Sequence, residues 1–187
     1  MKSIRNHRDH PAGIPLVADD ILEFHAARIL LLLRCCGSQN RSNGLYRIDG
    51  LTKMAKLDFF VRYPEFFAKI ADVLGGSKKN VPGIVESAMV RFHYGPWDQR
   101  YYHILAYLEG RSLIKVSKDK GFQLELTANG AGIAESLRLN KDYENICTHM
   151  KEVKNLLGSK SGSSLKNLIY RTFDEEVGNR ELGEVIR

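Results

Sequence analysis

The stretch "RSLIKVSKDKGFQLELTANG", Arg111 to Gly130, decides how the chain is read. Leu113, Ile114 and Val116 form one β-prone run. Phe122, Leu124 and Leu126 form a second, alternating with Gln123 and Glu125 as a half-buried strand does. Between them "SKDKG" supplies turn chemistry: Asp119 and Gly121 tolerate a tight reversal, and Lys118 and Lys120 keep the tip in water. The spacing predicts a β-hairpin with a basic tip, suited either to touching DNA or to holding another protein.

The flanks make this more specific. Upstream, "DQRYYHILAYLEG" places Tyr101, Ile104, Leu105 and Leu108 at helical spacing and stops at Gly110, a residue suited to ending a helix. Downstream, Thr127 is placed to accept a backbone N–H bond at the start of a helix through "ANGAGIAESLRL". The order helix, Gly-Arg-X-Leu-Ile, strand, basic turn, strand, Leu-Thr, helix resembles the winged-helix superfamily of small bacterial regulators, in which the hairpin is the wing. The expected fold is mostly α with a small β-hairpin: a winged-helix domain with inserted and C-terminal helices.

A chain of 187 residues with 43% hydrophobic content can bury one sizeable core. Its net charge of +6 permits contact with nucleic acid or with an acidic protein face, and equally describes an ordinary solvated surface. The three cysteines, Cys35, Cys36 and Cys147, lack zinc or disulfide spacing and read as buried thiols of a reducing compartment. "RILLLLRCC" is too short to span a bilayer, and "MKSIRNHRDHP" has no apolar signal-peptide core. A cytoplasmic protein without membrane contact is expected.

In chain order, residues 1–15 read as a basic flexible arm carrying Lys2, Arg5, His7, Arg8 and His10. Residues 16–139 read as the winged-helix domain. Within it "DDILEFHAARILLLLRCC" is a helix begun by Asp19 and Asp20, ended by Gly37 and apolar on more than one face. "LYRIDG" offers a short strand, and "LTKMAKLDFFVRYP" a helix interrupted by Pro64. A helical insertion around residues 60–96 separates this helix from the one starting near Trp97, far longer than the usual connection. Its Phe59, Phe60, Tyr63, Phe66 and Phe67 suit core packing, with partner anchoring as the second reading. Residues 140–187 read as a C-terminal helical extension for packing or docking, with a stripe of Tyr143, Ile146, Met150, Val153 and Leu157, a flexible break at "SKSGSS", and a last helix in "LKNLIYRTF".

The helix from Trp97 to Glu109 occupies the position of a winged helix's recognition helix. Gln99, Arg100 and His103 are the residues on it suited to base edges. Trp97, Tyr101 and Tyr102 instead have the composition of a protein interface. No catalytic constellation emerges. "GSKSGSS" lacks the Gly-Lys-Ser/Thr ending of a phosphate loop, and Cys147 and His149, two apart on a helix, point to different faces. The histidines show no metal-ligand spacing. No enzyme activity, cofactor or metal is expected.

The runs "GPWDQRYYHILAYLEGRSLI", "LDFFVRYP" and "LKNLIYRTF" together resemble the small middle component of ABC three-component, Lamassu-type, antiphage defence systems. That resemblance implies a non-catalytic accessory subunit linking an SMC-like ATPase to an effector protein such as a nuclease. In this reading Trp97, Tyr101, Tyr102, Phe66 and Phe67 are the interface residues. Lys118, Lys120, Arg100, Gln99 and His103 are the candidates for contact with DNA. The alternative is a homodimeric winged-helix transcription regulator, with the same basic residues on duplex DNA.

Overall fold

The computed structural model describes residues 21–76, 88–118 and 121–186. The basic arm, Asp19, Asp20, Lys120 and part of the expected insertion lie outside them. The described chain is mostly helical with a small antiparallel sheet. Helix α1, Leu22–Cys36, is its axis: Ile29, Leu31, Leu32 and Leu33 are all fully buried. Apolar residues on every face leave such a helix nowhere to sit except between others. Around it pack α2 (Leu51–Arg62), α4 (Tyr101–Gly110), α5 (Ala128–Leu139) and α6 (Glu144–Leu157). None of the described helices is long and apolar enough to cross a membrane.

The opening stretch forms the expected hairpin of β5 (Ile114–Ser117) and β6 (Gln123–Leu126), with Ile114 opposite Leu126 and Val116 opposite Leu124. Gly121, at φ +109°, supplies backbone geometry that a side chain resists. Strand β2 (Tyr46–Asp49) pairs antiparallel with β6 and β1 (Ser38–Gln39) with β2, giving the order β1-β2-β6-β5. Ile48, Ile114, Leu124 and Leu126 turn to the core, while Arg47 and Lys115 oppose Glu125 on the outer face. Thr127 caps α5 as expected, its Oγ1 accepting the Gly130 N–H at 2.9 Å.

Pro64 splits the aromatic segment into α2 and α3 (Pro64–Val73). At the first position of α3 its missing N–H costs no hydrogen bond. The turn lets rings from both helices meet: Phe59 lies 5.2 Å from Phe66, and Phe66 lies 4.7 Å from Phe173, centroid to centroid. Phe66 and Phe67 are buried. Their assignment to a partner interface is therefore corrected: they are core residues, Phe66 packed against Phe59 and Phe173 and Phe67 against Phe60 and His149.

The insertion is not wholly helical. After α3 it supplies a second hairpin, β3 (Val90–Phe92) with β4 (Gly95–Trp97). The chain's end adds to its edge. Arg91 N–H donates to Glu184 O at 2.8 Å, Gly183 N–H to Arg91 O at 2.7 Å, and Ile186 N–H to Met89 O at 2.8 Å. Tyr63 ties this pairing to the core, its Oη accepting the Met89 N–H and donating to Ile186 O.

Three further local expectations change. Trp97 closes β4 and α4 begins at Tyr101. The latter helix runs through Gly110, and the left-handed residue after it is Ser112 at φ +55°. "SKSGSS" is a helix start: Ser161 Oγ accepts the Ser164 N–H and caps α7, Gly162–Thr172. The C-terminal helices pack inward, α6 on α1 and α2 and α7 on α2. Replacing Phe59 with alanine is expected to lower stability by about 3–5 kcal/mol. Replacing Thr127 with alanine is expected to lower it by about 1 kcal/mol. Urea unfolding followed by circular dichroism measures both.

Candidate interaction groove

A buried ionic cluster fixes the start of α4. Asp58 of α2 accepts from Arg28 Nε at 2.9 Å and from Tyr101 Oη at 2.7 Å. Asp98, between β4 and α4, accepts from Arg62 Nη1 at 2.7 Å. Asp98 also accepts the Arg100 N–H, Nε and Nη2, each at 2.9 Å. Burial alone would raise the Asp98 pKa, but the hydrogen bonds from Arg100 and the charges of Arg62 and Arg100 hold it well below the ordinary carboxylate range. The Arg28 and Arg100 guanidinium groups also lie against the two ring nitrogens of His25, at 2.9 and 3.0 Å.

This cluster redistributes the expected site residues. Tyr101 is fully buried and hydrogen-bonded, so its place at an interface is corrected to the core. Arg100 turns its guanidinium to Asp98 and His25 instead of outward. Gln99, His103 and Lys118 are exposed. The outward face of α4 adds Ala106 and Glu109 to Tyr102 and His103, and the Glu109 carboxylate accepts the Val116 N–H at the hairpin.

Trp97 and Tyr102 do come together, with partners that sequence reasoning missed. Phe92 stacks on Trp97 at 6.0 Å, and Tyr102 lies 5.8 Å from the same ring. Leu51, Thr52, Tyr94, Gly95 and Phe122 complete the walls of a hollow of about 190 Å³. Phe92, Tyr94 and Tyr102 are 40%, 61% and 60% exposed, although each is large and aromatic. Exposed rings grouped in this way make the hollow a candidate interaction surface. At the hairpin side, Lys118 Nζ sits 4.8 Å above the Phe122 ring.

A second, more polar hollow of about 330 Å³ adjoins the first, sharing Thr52 and Tyr94 and adding Asp49, Gly50, Lys53, Gly162, Ser163 and Lys166. The two form one groove, aromatic at one end and basic at the other. The alternation Phe92, Tyr94 before Gly-Pro is the sequence signal for the hairpin that builds it.

Beneath the groove lies Lys56, fully buried, its Nζ donating to Pro96 O at 2.9 Å. A side chain at position 95 would start 3.4 Å from that nitrogen, so Gly95, at φ +97°, lets the hairpin settle on the lysine. Burial first, and then the charge of Lys166, lower the Lys56 pKa to about 7. The chain matches no family model, no curated protein and no solved structure.

An unfolded lysine titrates near pH ~10.4, so between that pH and about 7 the unfolded chain binds the extra proton. Stability is therefore expected to climb as pH rises from about 7 to about 8, by up to about 1 kcal/mol per pH unit. Above that range the buried thiols of Cys35 and Cys36, whose pKa values burial raises, oppose the trend. Lys56→Met should flatten the rise, as read from chemical unfolding at both pH values.

Proposed function

We propose that this chain is a non-catalytic winged-helix accessory subunit that works by docking. Two features of its architecture support the winged-helix reading. The elements α1, β2, α2, α4, β5 and β6 follow one another in that fold's order, and β6 lies between β2 and β5 in the sheet. The β3-β4 hairpin and the C-terminal helices are then additions to it.

The observation that carries the docking function is the aromatic groove at the start of α4. In a base-reading winged helix this end of the helix enters the major groove and needs outward Arg, Asn or Gln. Here Phe92, Tyr94, Trp97 and Tyr102 occupy the region, Arg100 is turned to Asp98, and Glu109 adds a carboxylate near the wing. Exposed aromatics around a hollow are the anchors of a protein interface. With the resemblance to the middle component of Lamassu-type systems, the partners are an SMC-like ATPase and an effector such as a nuclease, in antiviral defence.

Exposed Lys118, Gln99 and His103 favour a secondary contact with DNA held by the complex. The same residues carry the second reading, a homodimeric DNA-binding regulator.

Affinity purification of the tagged chain from its native host, followed by mass spectrometry, tests the assignment. An SMC-like ATPase and an effector are expected to copurify. Tyr102→Ala with Phe92→Ser should reduce their recovery by about tenfold or more, as loss of interface anchors does. Lys118→Ala should leave assembly intact. A lone homodimer that shifts a specific duplex would replace this reading with the regulator.

A further inference from the structure

The groove's two ends differ in chemistry, and their order describes what fills it. The first end is an aromatic hollow with only Thr52, the tyrosine hydroxyls and the Trp97 indole N–H as polar side-chain groups. Its capacity of about 190 Å³ suits one bulky apolar side chain. Through Thr52 and Tyr94 it opens into the second end, where Lys53 and Lys166 are half-buried and Asp49 is the one carboxylate on the lining. Lys118 stands at the hairpin edge. Lys56 lies behind the floor, close enough for Lys166 to depress its pKa.

We propose that this groove binds an extended acidic segment of a partner protein, with a bulky apolar side chain in the aromatic hollow and Asp or Glu residues over Lys53 and Lys166. The proposal rests on the docking reading above and deepens it by naming the partner's chemistry. Charge complementarity selects the acidic segment, since cations outnumber the single carboxylate along the basic end. A nucleic-acid strand fits less well. Its bases could stack on the aromatic rings, but its backbone needs cations along the whole track, and the lining of the aromatic end has none while Asp49 stands in the basic end.

A random twelve-residue peptide library displayed on phage, selected against the purified full-length chain, tests this without any native partner. Enriched sequences are expected to pair a Leu, Phe, Trp or Met with neighbouring Asp or Glu. Trp97, the chain's single tryptophan, lies in the hollow and reports binding of a synthesised hit by its fluorescence. Tyr102→Ala and Lys166→Glu, each shown to melt like the parent by circular dichroism, should weaken that hit by about tenfold. Its affinity should fall as salt is raised.

Enrichment equal on the parent and on Tyr102→Ala overturns the proposal, as do hits without acidic residues. A twelve-nucleotide oligothymidylate that shifts Trp97 fluorescence more tightly than any hit also overturns it, in favour of single-stranded nucleic acid. Acidic hits combined with failure to recover an ATPase from the host would sustain the groove chemistry and sink the assignment of the complex. Recovery of the ATPase with no enriched peptide would do the reverse.

Discussion

Asp58 is the constraint on which the rest of the molecule depends. Its carboxylate is fully buried between α1 and α2 and receives Arg28 from one helix and Tyr101 from α4, while Arg62 reaches past it at 3.7 Å to Asp98. Taking these charges out of water is costly, and an apolar replacement of the whole cluster could be as stable. Removal of one member is a different matter, because it strands a buried charge at a cost of about 3–5 kcal/mol. The cluster thus joins α1, α2 and α4 through specific hydrogen bonds. It permits one mutual arrangement of α1, α2 and the β4-α4 junction, and that junction carries Trp97.

Lys56 extends the same logic to the inserted hairpin. One face of α2 holds Phe59 and Phe60 in the apolar core, while Lys56, Asp58 and Arg62 each reach a specific acceptor or counter-charge. The buried amine meets Pro96 O where Gly95 leaves room for it. On the far edge, the 183–186 segment pairs with the hairpin and Tyr63 hydrogen-bonds to both. The short strands β3 and β4, too small to be stable alone, are held by the core from two sides.

What was legible in the sequence is what local rules govern. The alternation of Leu124 and Leu126 with polar neighbours, the Thr127 cap, the Pro64 break and the all-round apolar α1 involve residues within a turn or two of one another. The second hairpin left only a short local signal, Phe92 and Tyr94 before Gly-Pro, and was missed because its stability comes from Lys56, Tyr63 and the 183–186 segment, all distant in the chain. Phe66, Phe67 and Tyr101 were misplaced for a related reason. Aromatic composition is the same in a core and at an interface, and only the packing of Phe173 and Asp58 against them separates the two. Arg100 looked like a base reader on its residue type alone, whereas Asp98 accepts both its backbone N–H and its guanidinium.

The groove follows from these same constraints. A hollow lined by exposed aromatic rings would ordinarily collapse, since burying such rings is favourable. Here the rings are carried by elements that cannot approach further: Trp97 is backed by buried Tyr101, Phe92 by a hairpin fixed on Lys56 and the chain's end, and Phe122 by a strand paired on both sides. Rings held apart in this way have already met their ordering cost in the folding of the domain. A partner segment entering the groove then loses less of its binding free energy to rearrangement, which is the advantage of a preformed site over an adaptable loop. The buried charges that look extravagant in a small core therefore have a consequence at the surface: they keep the aromatic face open.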